Sequence, residues 1–151
     1  MGLEKLINND IKDAMFQKDK EKLNALRAIK AALLLEKTGK DISGGEIPES
    51  VELKVLQKLV KQRKEASTIY RENERLDLAE DEEYQAQIIE NYLPEQMEET
   101  EIETVVKQII VDVGATNMKD MGRVMGMVTK RLAGRADNGV VSKIVRNLLS
   151  N

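Results

Sequence analysis

Residues 48–74 read PESVELKVLQKLVKQRKEASTIYRENE, and no glycine or second proline interrupts them. Apolar side chains recur in this stretch every three or four residues, which is the spacing of one face of an α-helix and not the alternation of a strand. Pro48 suits the first turn of a helix, where its missing N–H costs nothing. We therefore predict a helix about 40 Å long, at 1.5 Å per residue, as the spine of the N-terminal half. Its predicted buried face consists of Val51, Val55, Leu59, Gln62, Ala66 and Ile69.

Two shorter helices are predicted before this spine. Apolar residues at helical spacing run from Leu3 to a helix end near Lys18, and Asp19 is a suitable N-cap for the next helix. That second helix should end at Gly39, since glycine is the usual residue after a helix C-terminus. Residues 39–47 include a Ser-Gly-Gly sequence and are predicted to form a flexible loop.

The N-terminal half closes with a fourth helix, predicted over residues 76–92. Pro94 follows it, and a proline disfavours helical geometry in the residue before it. The chain of 151 residues is long enough for two small domains. We place the boundary at this proline, which gives an N-terminal module of residues 1–93 and a C-terminal module of residues 95–151.

The first segment of the C-terminal module presents a choice between helix and strand. Thr100 and Glu103 have the spacing of a capping box, and Gly114 is a suitable end for a helix. The capping box and a length above ten residues favour a helix, which we predict, with a strand as the alternative. The strand is favoured only by the many β-branched residues, at Val105, Val106, Ile109, Ile110 and Val113.

Two further helices complete the C-terminal module. Asn117 is the predicted N-cap of the first, which should end at Gly134, and Asp137 is the predicted N-cap of the second. The sequence thus predicts an all-α protein, in which a module of about four helices, one of them long, precedes a module of three helices.

Composition narrows the chemistry that this chain can perform. It has no cysteine and no histidine, so disulfides, thiolate nucleophiles, the usual zinc sites and imidazole acid–base catalysis are excluded. The glycine patterns of nucleotide-binding loops are also missing. We predict no catalytic residue, no metal site and no cofactor, and we do not expect the chain to be an enzyme on its own. Because no signal-peptide core or apolar stretch near 18 residues occurs, we predict a cytoplasmic protein without a membrane partner.

Charge is distributed unevenly, although the net charge is only −3. On a helical wheel Lys119, Arg123 and Lys130 lie within about 40° of one another. A basic surface of this kind suits phosphate groups, and an ordinary solvated face is the alternative. Residues 117–151 contain two acidic residues, Asp120 and Asp137, against seven basic ones: Lys119, Arg123, Lys130, Arg131, Arg135, Lys143 and Arg146.

Gly122 and Gly126 lie in the middle of a predicted helix, where each costs about 1 kcal/mol relative to alanine. Two explanations remain open for them: tight packing against another helix, or close approach of a nucleic-acid backbone. The methionines of this region have a similar pair of interpretations, as adaptable core residues or as the lining of a groove for a partner. These methionines are Met118, Met121, Met125 and Met127.

Several motifs resemble those of a known family. The C-terminal module contains VGATNMKDMGRVMG at residues 113–126, GRAD at residues 134–137 and IVRNLL at residues 144–149. The N-terminal module adds AMFQKDKEKLNALR at residues 14–27, KQRKEA at residues 61–66 and IIENYLPEQ running into the boundary at residues 88–96. In these motifs the chain resembles the GatB/YqeY family, which includes free-standing YqeY-like proteins and the C-terminal tail domain of the GatB component of tRNA-dependent aspartyl/glutamyl amidotransferases. The resemblance implies a helical N-terminal module and a three-helix C-terminal module.

The same resemblance implies an RNA-associated function. In the amidotransferase, the equivalent tail domain helps to hold the transfer RNA while the amino acid esterified to it is amidated. We therefore expect this chain to bind RNA, with transfer RNA as the best prediction and a protein of the translation machinery as a further partner. Two alternatives remain open: a protein–protein adaptor, and a carbon–nitrogen ligase with glutamine as amido-N-donor, which is the activity label of the family.

The resemblance carries over to particular positions of the C-terminal module. Arg135, beside Gly134, is expected to project near the open backbone amides of the following helix, which would suit a phosphate. Because this module has no aromatic residue, we expect it to recognise RNA backbone and shape and not to stack on bases. Other matched positions of the GRAD motif are Ala136 and Asp137. The predicted RNA-binding residues are Lys119, Gly122, Arg123, Gly126, Lys130, Arg131, Arg135, Lys143 and Arg146.

Overall fold

In the computed structural model, which describes residues 2–39 and 47–150, every regular element of the described part is helical, as the sequence predicts. The chain divides into two compact units, Met1–Leu93 and Pro94–Asn151. Most of the predicted loop at residues 39–47 lies outside the described residues. No helix within the described ranges is long and apolar enough to span a membrane.

Four helices form the first unit: α1 (Leu3–Gln17), α2 (Lys20–Gly39), α3 (Glu49–Glu72) and α4 (Leu76–Glu90). Lys18 closes α1 in the left-handed conformation, with φ 56°. Asp19 begins α2 as predicted, because its Oδ1 accepts a hydrogen bond of 3.1 Å from the Lys22 amide. The core of this unit is dominated by aliphatic side chains of which almost nothing is exposed, Ile7, Leu26, Ile29, Leu33, Leu56 and Ile89.

The buried face of α3 differs from the predicted one. Val55 is buried as expected, and Val51 and Leu59 are partly buried against the core, but Gln62 is exposed and Ile69 is 56% exposed. The reason is that α3 packs against both α2 and α4, so its buried stripe is turned toward α4. That stripe consists of Val55, Leu56, Val60 and Ser67.

Polar contacts tie α1 and the start of α2 to α4 and to the residues that follow it. The Tyr92 hydroxyl donates to the Asp10 carboxylate, and the Tyr84 hydroxyl donates to Asp19 Oδ2 at 2.5 Å. Burial and the bond to Asp10 raise the pKa of Tyr92 well above its ordinary value, so this phenol stays protonated as a donor. These contacts join residues more than 60 positions apart in sequence, which helical periodicity does not reveal.

The second unit contains α5 (Glu99–Val113), a 3₁₀ turn (Met118–Asp120), α6 (Met121–Arg131) and α7 (Asn138–Leu149). The segment for which a strand was the alternative is a helix. Its capping box, however, is formed by Glu98 and Glu101, and the predicted pair of Thr100 and Glu103 is wrong. The helix begins two residues earlier than that pair requires, and carboxylates in its first turn are favoured by the helix dipole.

The remaining helix ends of this unit follow the sequence closely. Gly114 ends α5 with φ 67°, and the Asn117 side chain accepts from the Lys119 amide to begin the 3₁₀ turn. Asp137 caps α7 by accepting from the Val140 amide. Helix α6 ends at Arg131, three residues before the predicted end at Gly134. Gly134 itself adopts the left-handed conformation, with φ 76°. The core between α5, α6 and α7 is built around Val106, Val124, Val128, Val141 and Val145.

Candidate nucleic-acid interface on the last two helices

All nine predicted RNA-binding residues are exposed, and they occupy four adjoining parts of the chain. Lys119 lies in the 3₁₀ turn, and Arg135 lies in the connection between α6 and α7. Lys143 and Arg146 lie on α7, on the side opposite the buried valines. The other five are on α6: Gly122, Arg123, Gly126, Lys130 and Arg131.

The outer face of α6 combines bare backbone with positive charge. At 100° per residue, Gly122, Arg123, Gly126 and Lys130 span about 100° of the helix, opposite the buried Val124 and Val128. Lys119 was predicted to continue this face within about 40°. That prediction is wrong in detail, because the 3₁₀ turn has three residues per turn and α6 begins only at Met121.

The two glycines of α6 are not required by packing inside the unit. A Cβ atom built on either Gly122 or Gly126 would meet nothing within 4 Å among the described residues. The interpretation that these glycines allow two helices of this unit to pack closely is therefore wrong. Gly126 lies in the interior of α6, where glycine costs about 1 kcal/mol relative to alanine, and no contact in the described structure offsets that cost. Gly122 is the second residue of α6, outside the interior to which that cost applies.

Most of the cations on this surface lack an internal partner. Arg123 Nη2 lies 3.3 Å from Asp120 Oδ1. The hydrogen bond from the Thr116 amide, and also the charge of Arg123, hold the pKa of the Asp120 carboxyl group below its usual range. Asp137, the other carboxylate of this region, is used as the cap of α7. The sequences of α6 and α7 contain no acidic residue at all. Within the described ranges no ion pair is formed by Lys119, Lys130, Arg131, Lys143 or Arg146.

Charge in the second unit is polarised along the sequence. Residues 94–113 carry six acidic residues and one basic residue, Lys107, which pairs with Glu103 at 3.1 Å. Residues 117–151 carry the opposite excess, with seven basic and two acidic residues. The unit as a whole is therefore neutral, and only the part from the 3₁₀ turn to α7 offers a positive potential to a polyanion.

The GRAD motif is largely explained by the fold. Gly134 adopts a left-handed conformation that a side chain would strain, and its carbonyl accepts from Gln96 Nε2 at 2.7 Å. Ala136 is buried in the core, and Asp137 is the cap of α7. The Arg135 side chain is exposed, and its Nε donates to the Glu95 carbonyl at 3.3 Å.

The phosphate position expected next to Arg135 is partly occupied by the protein itself. The first amides of α7 were predicted to be open, but the Asp137 carboxylate accepts from the Val140 amide at this end of the helix. An incoming phosphate would meet that negative charge. Phosphate contacts on this surface therefore depend on side-chain cations more than on the N-terminus of α7.

The methionines of α6 and the 3₁₀ turn divide into two pairs. Met121 and Met125 pack against the core of the unit, which fits the interpretation as core residues. Met118 and Met127 are exposed, Met127 by 48%, and Met127 lies on the outer face of α6 beside Arg123. Among residues 2–39 and 47–150, no group of three or more metal-ligating side chains comes together.

Comparisons with known proteins identify a family and two relatives. The family model described as Yqey-like protein matches residues 4–149. A protein named "Altered inheritance of mitochondria protein 41, mitochondrial" from Pyrenophora tritici-repentis is 32% identical over 144 residues, which cover 93% of this chain and 77% of that protein. A protein of the same name from Meyerozyma guilliermondii is 36% identical over 87 residues, which cover 58% of this chain and 44% of that protein.

Proposed function

Because the chain belongs to the family of Yqey-like proteins, as its motifs predicted, we propose that it binds RNA through the exposed cations of its second unit. Folded transfer RNA is the proposed ligand. The observation that carries this proposal is the excess of unpaired positive charge between the 3₁₀ turn and the end of α7, where both carboxylates are used in capping or in pairing. Cations free of internal partners are the groups that phosphates recruit.

The proposed mode of recognition uses the RNA backbone. No aromatic residue occurs after Tyr92, so the second unit has no ring on which a base could stack. Gly122 and Gly126 leave the outer face of α6 bare between Arg123 and Lys130, so a sugar–phosphate chain can approach the helix closely there. Recognition of shape and phosphate is the usual mode for folded, double-helical RNA.

The dependence of binding on salt tests the electrostatic part of the proposal. If four to six phosphates are contacted, the logarithm of the association constant should fall with the logarithm of the salt concentration at a slope of roughly −3 to −5. The measurement is a titration of labelled transfer RNA with the full-length protein at several salt concentrations. If the affinity for transfer RNA does not change with salt concentration, RNA is no longer the preferred ligand.

Charge reversal tests the location of the interface. Replacing Arg123, Lys130 and Arg135 with glutamate should abolish binding without unfolding the unit, since all three side chains are exposed. The matched control replaces Lys30, Lys54 and Lys58, three exposed lysines of the first unit, with glutamate. The control changes the net charge by the same amount. Equal loss in both variants would assign the effect to net charge and not to this surface.

A protein–protein adaptor remains the second candidate function, because Met118 and Met127 are exposed beside the cations. Methionine-lined surfaces adapt to differing partners, and an apolar contact of this kind would resist salt. Protein capture that is insensitive to salt, together with no affinity for transfer RNA, would favour the adaptor.

The relation to amidotransfer and the cellular location also remain proposals. The carbon–nitrogen ligase label with glutamine as donor predicts ammonia release from glutamine, and we expect none from the purified chain. Turnover that survives a second purification would contradict this expectation.

Both relatives carry the word mitochondrial in their names, whereas the sequence of this chain predicts a cytoplasmic protein. The proposed binding to RNA does not depend on which compartment holds it.

A further inference from the structure

The outer face of α1, in the first unit, carries the most exposed aromatic side chain described in the protein. Phe16 is the single phenylalanine of the chain, and 89% of it is exposed. The buried residues of α1 are Ile7 and Ala14. At 100° per residue Phe16 lies about 180° from their mean direction, so its ring is directed away from the core.

Phe16 ends a regular polar stripe along α1. Lys5, Asn9 and Lys12 precede it at spacings of four, three and four residues, and all are exposed. This spacing keeps the four side chains on one side of the helix over about 16 Å. The exposed Lys18 and Lys20 follow at the corner between α1 and α2. We call these six residues the Phe16 face: Lys5, Asn9, Lys12, Phe16, Lys18 and Lys20.

The carboxylates near this face are mostly held by internal contacts. Glu4 pairs with Lys37 at 3.0 Å, Asp10 accepts from the Tyr92 hydroxyl, and Asp19 accepts from the Tyr84 hydroxyl and the Lys22 amide. Asp13 is the one exposed carboxylate on the outer side of α1.

The lysines of the Phe16 face are, by contrast, without internal partners. In the part of the chain that the structure describes, none of its four lysines forms an ion pair. On the outer side of α1 and at the corner that follows it, these four lysines stand against two carboxylates, Asp13 and Asp19, and Asp19 keeps its negative charge because it accepts only from a neutral hydroxyl and an amide. The face therefore has an excess of positive charge around an exposed ring.

We propose that the Phe16 face binds an unpaired stretch of nucleic acid, with one base stacked on the Phe16 ring and the neighbouring phosphates held by the lysines. A basic track beside an exposed aromatic ring is the combination by which proteins bind single strands without regard to sequence. Asn9 supplies an amide that both donates and accepts hydrogen bonds at the middle of the stripe. This site is separate from the proposed surface on α6 and α7 and does not depend on it.

Other occupants fit this face less well. A helix that lies on a membrane needs a continuous apolar side, whereas the other exposed apolar residues of α1, Leu6 and Met15, lie about 80° and 100° away on opposite sides of Phe16. The centre of a protein–protein interface is depleted in lysine, whereas lysines make up four of the six residues of this face. Charge complementarity therefore favours a polyanion with exposed bases.

The test uses the full-length protein with tryptophan or leucine in place of Phe16. The chain has no other tryptophan, so the Phe16→Trp variant places a single fluorescent reporter at the site and preserves an aromatic surface. A single-stranded RNA of twelve adenosines should quench this emission and should bind the variant at least as tightly as the original protein. The Phe16→Leu variant keeps an apolar side chain without the ring, and we expect about 5- to 100-fold weaker binding of the same RNA.

Controls separate stacking from charge and from the other proposed site. Thermal unfolding should be unchanged in both variants, since the side chain is exposed. Binding of a twelve-base-pair RNA duplex, whose bases are already stacked, should be the same for the original protein and the Phe16→Leu variant. The changes Lys130→Glu and Lys143→Glu should leave the quenching of the tryptophan variant as it was. If these two changes remove duplex binding and the quenching persists, the two sites are independent.

Three results would overturn the proposal. Equal affinity of the original protein and the Phe16→Leu variant for the single-stranded RNA would show that lysines alone bind it. Binding to vesicles that contain phosphatidylserine, without binding to the RNA, would show a membrane-binding face. Self-association that the Phe16→Leu change abolishes, again without RNA binding, would show a contact between two copies of the chain.

Discussion

Glycines in this protein serve different purposes, and only their backbone conformation distinguishes them. Gly114 and Gly126 both have open space where a Cβ would be. Gly114, however, has φ 67° and ends α5, whereas Gly126 has the ordinary conformation of a helix interior. A side chain is strained in the left-handed region and is favoured over glycine within a helix. The same substitution should therefore have opposite effects at the two positions.

Alanine at the two glycines tests this difference. Gly126→Ala should raise the free energy of unfolding by about 0.5–1 kcal/mol, because alanine loses less backbone entropy on folding. Gly114→Ala should lower it by about 1 kcal/mol, because alanine resists a positive φ. Urea denaturation of both variants measures the two changes. A loss of stability in Gly126→Ala would mean that the glycine is needed for packing after all.

Leucine at Gly126 then tests the proposed approach of the RNA backbone. Because the position is open, we expect Gly126→Leu to fold, as judged by circular dichroism and thermal unfolding. The affinity for transfer RNA should fall, since the added side chain covers the bare part of α6 between Arg123 and Lys130. If the folded variant binds transfer RNA with unchanged affinity, Gly126 does not contact the RNA, and only the cations of this surface remain as proposed contacts.

Among the elements, α3 and α4 are joined by a polar cluster that the sequence analysis did not anticipate. Arg71 donates to both carboxylate oxygens of Glu83, from Nε at 2.7 Å and from Nη2 at 2.6 Å. The buried Ser67 hydroxyl donates to the same carboxylate. This explains how a serine comes to lie in the stripe of α3 that packs toward α4. The bonds from Arg71, and then that from Ser67, lower the pKa of Glu83 to about 2.

Because of this cluster, acid pH should weaken the packing of α3 on α4. The pKa of Glu83 is lower in the folded chain than its ordinary value of 4.5, so the ionised form stabilises the fold. That contribution is complete above about pH 4.5 and is lost as the pH falls toward about 2. Urea midpoints measured at pH 7 and pH 3 should therefore differ less in Glu83→Gln than in the original protein. Asp81→Asn, an exposed change on the same helix, is the control and should keep the original difference.

At the scale of the whole molecule, each unit has a hydrophobic core of its own. The first is built from α1 to α4 and the second from α5 to α7. The two proposed nucleic-acid sites also lie on different units, with stacking assigned to the first and phosphate contacts to the second. Whether each unit folds alone is a question for fragments of the chain.

Limited proteolysis tests the independence of the units. We expect cleavage near Pro94 to release two fragments, of residues 1–93 and 95–151, that remain folded, because exposed junctions are the usual sites of cleavage between domains. Mass spectrometry locates the cut, and circular dichroism of the separated fragments reports their helix content. Cleavage confined to Gly44 and Gly45 would instead indicate one cooperative unit.

The sequence by itself determined the helices, most of their ends and the family. Periodicity is a local property, and Asp19, Asn117 and Asp137 act on amides only two or three residues away, so no distant contact was needed to predict them. The same reasoning missed the cap at Glu98, since several acidic residues at this helix start have comparable local spacing.

Only the tertiary structure decided which faces of the helices are free. It turned the buried stripe of α3 toward α4, removed packing as the reason for Gly122 and Gly126, and left Phe16 on the outside of α1. Local pattern shows that a residue is apolar or charged, but exposure depends on the neighbours that pack against it, and those neighbours come from distant parts of the chain.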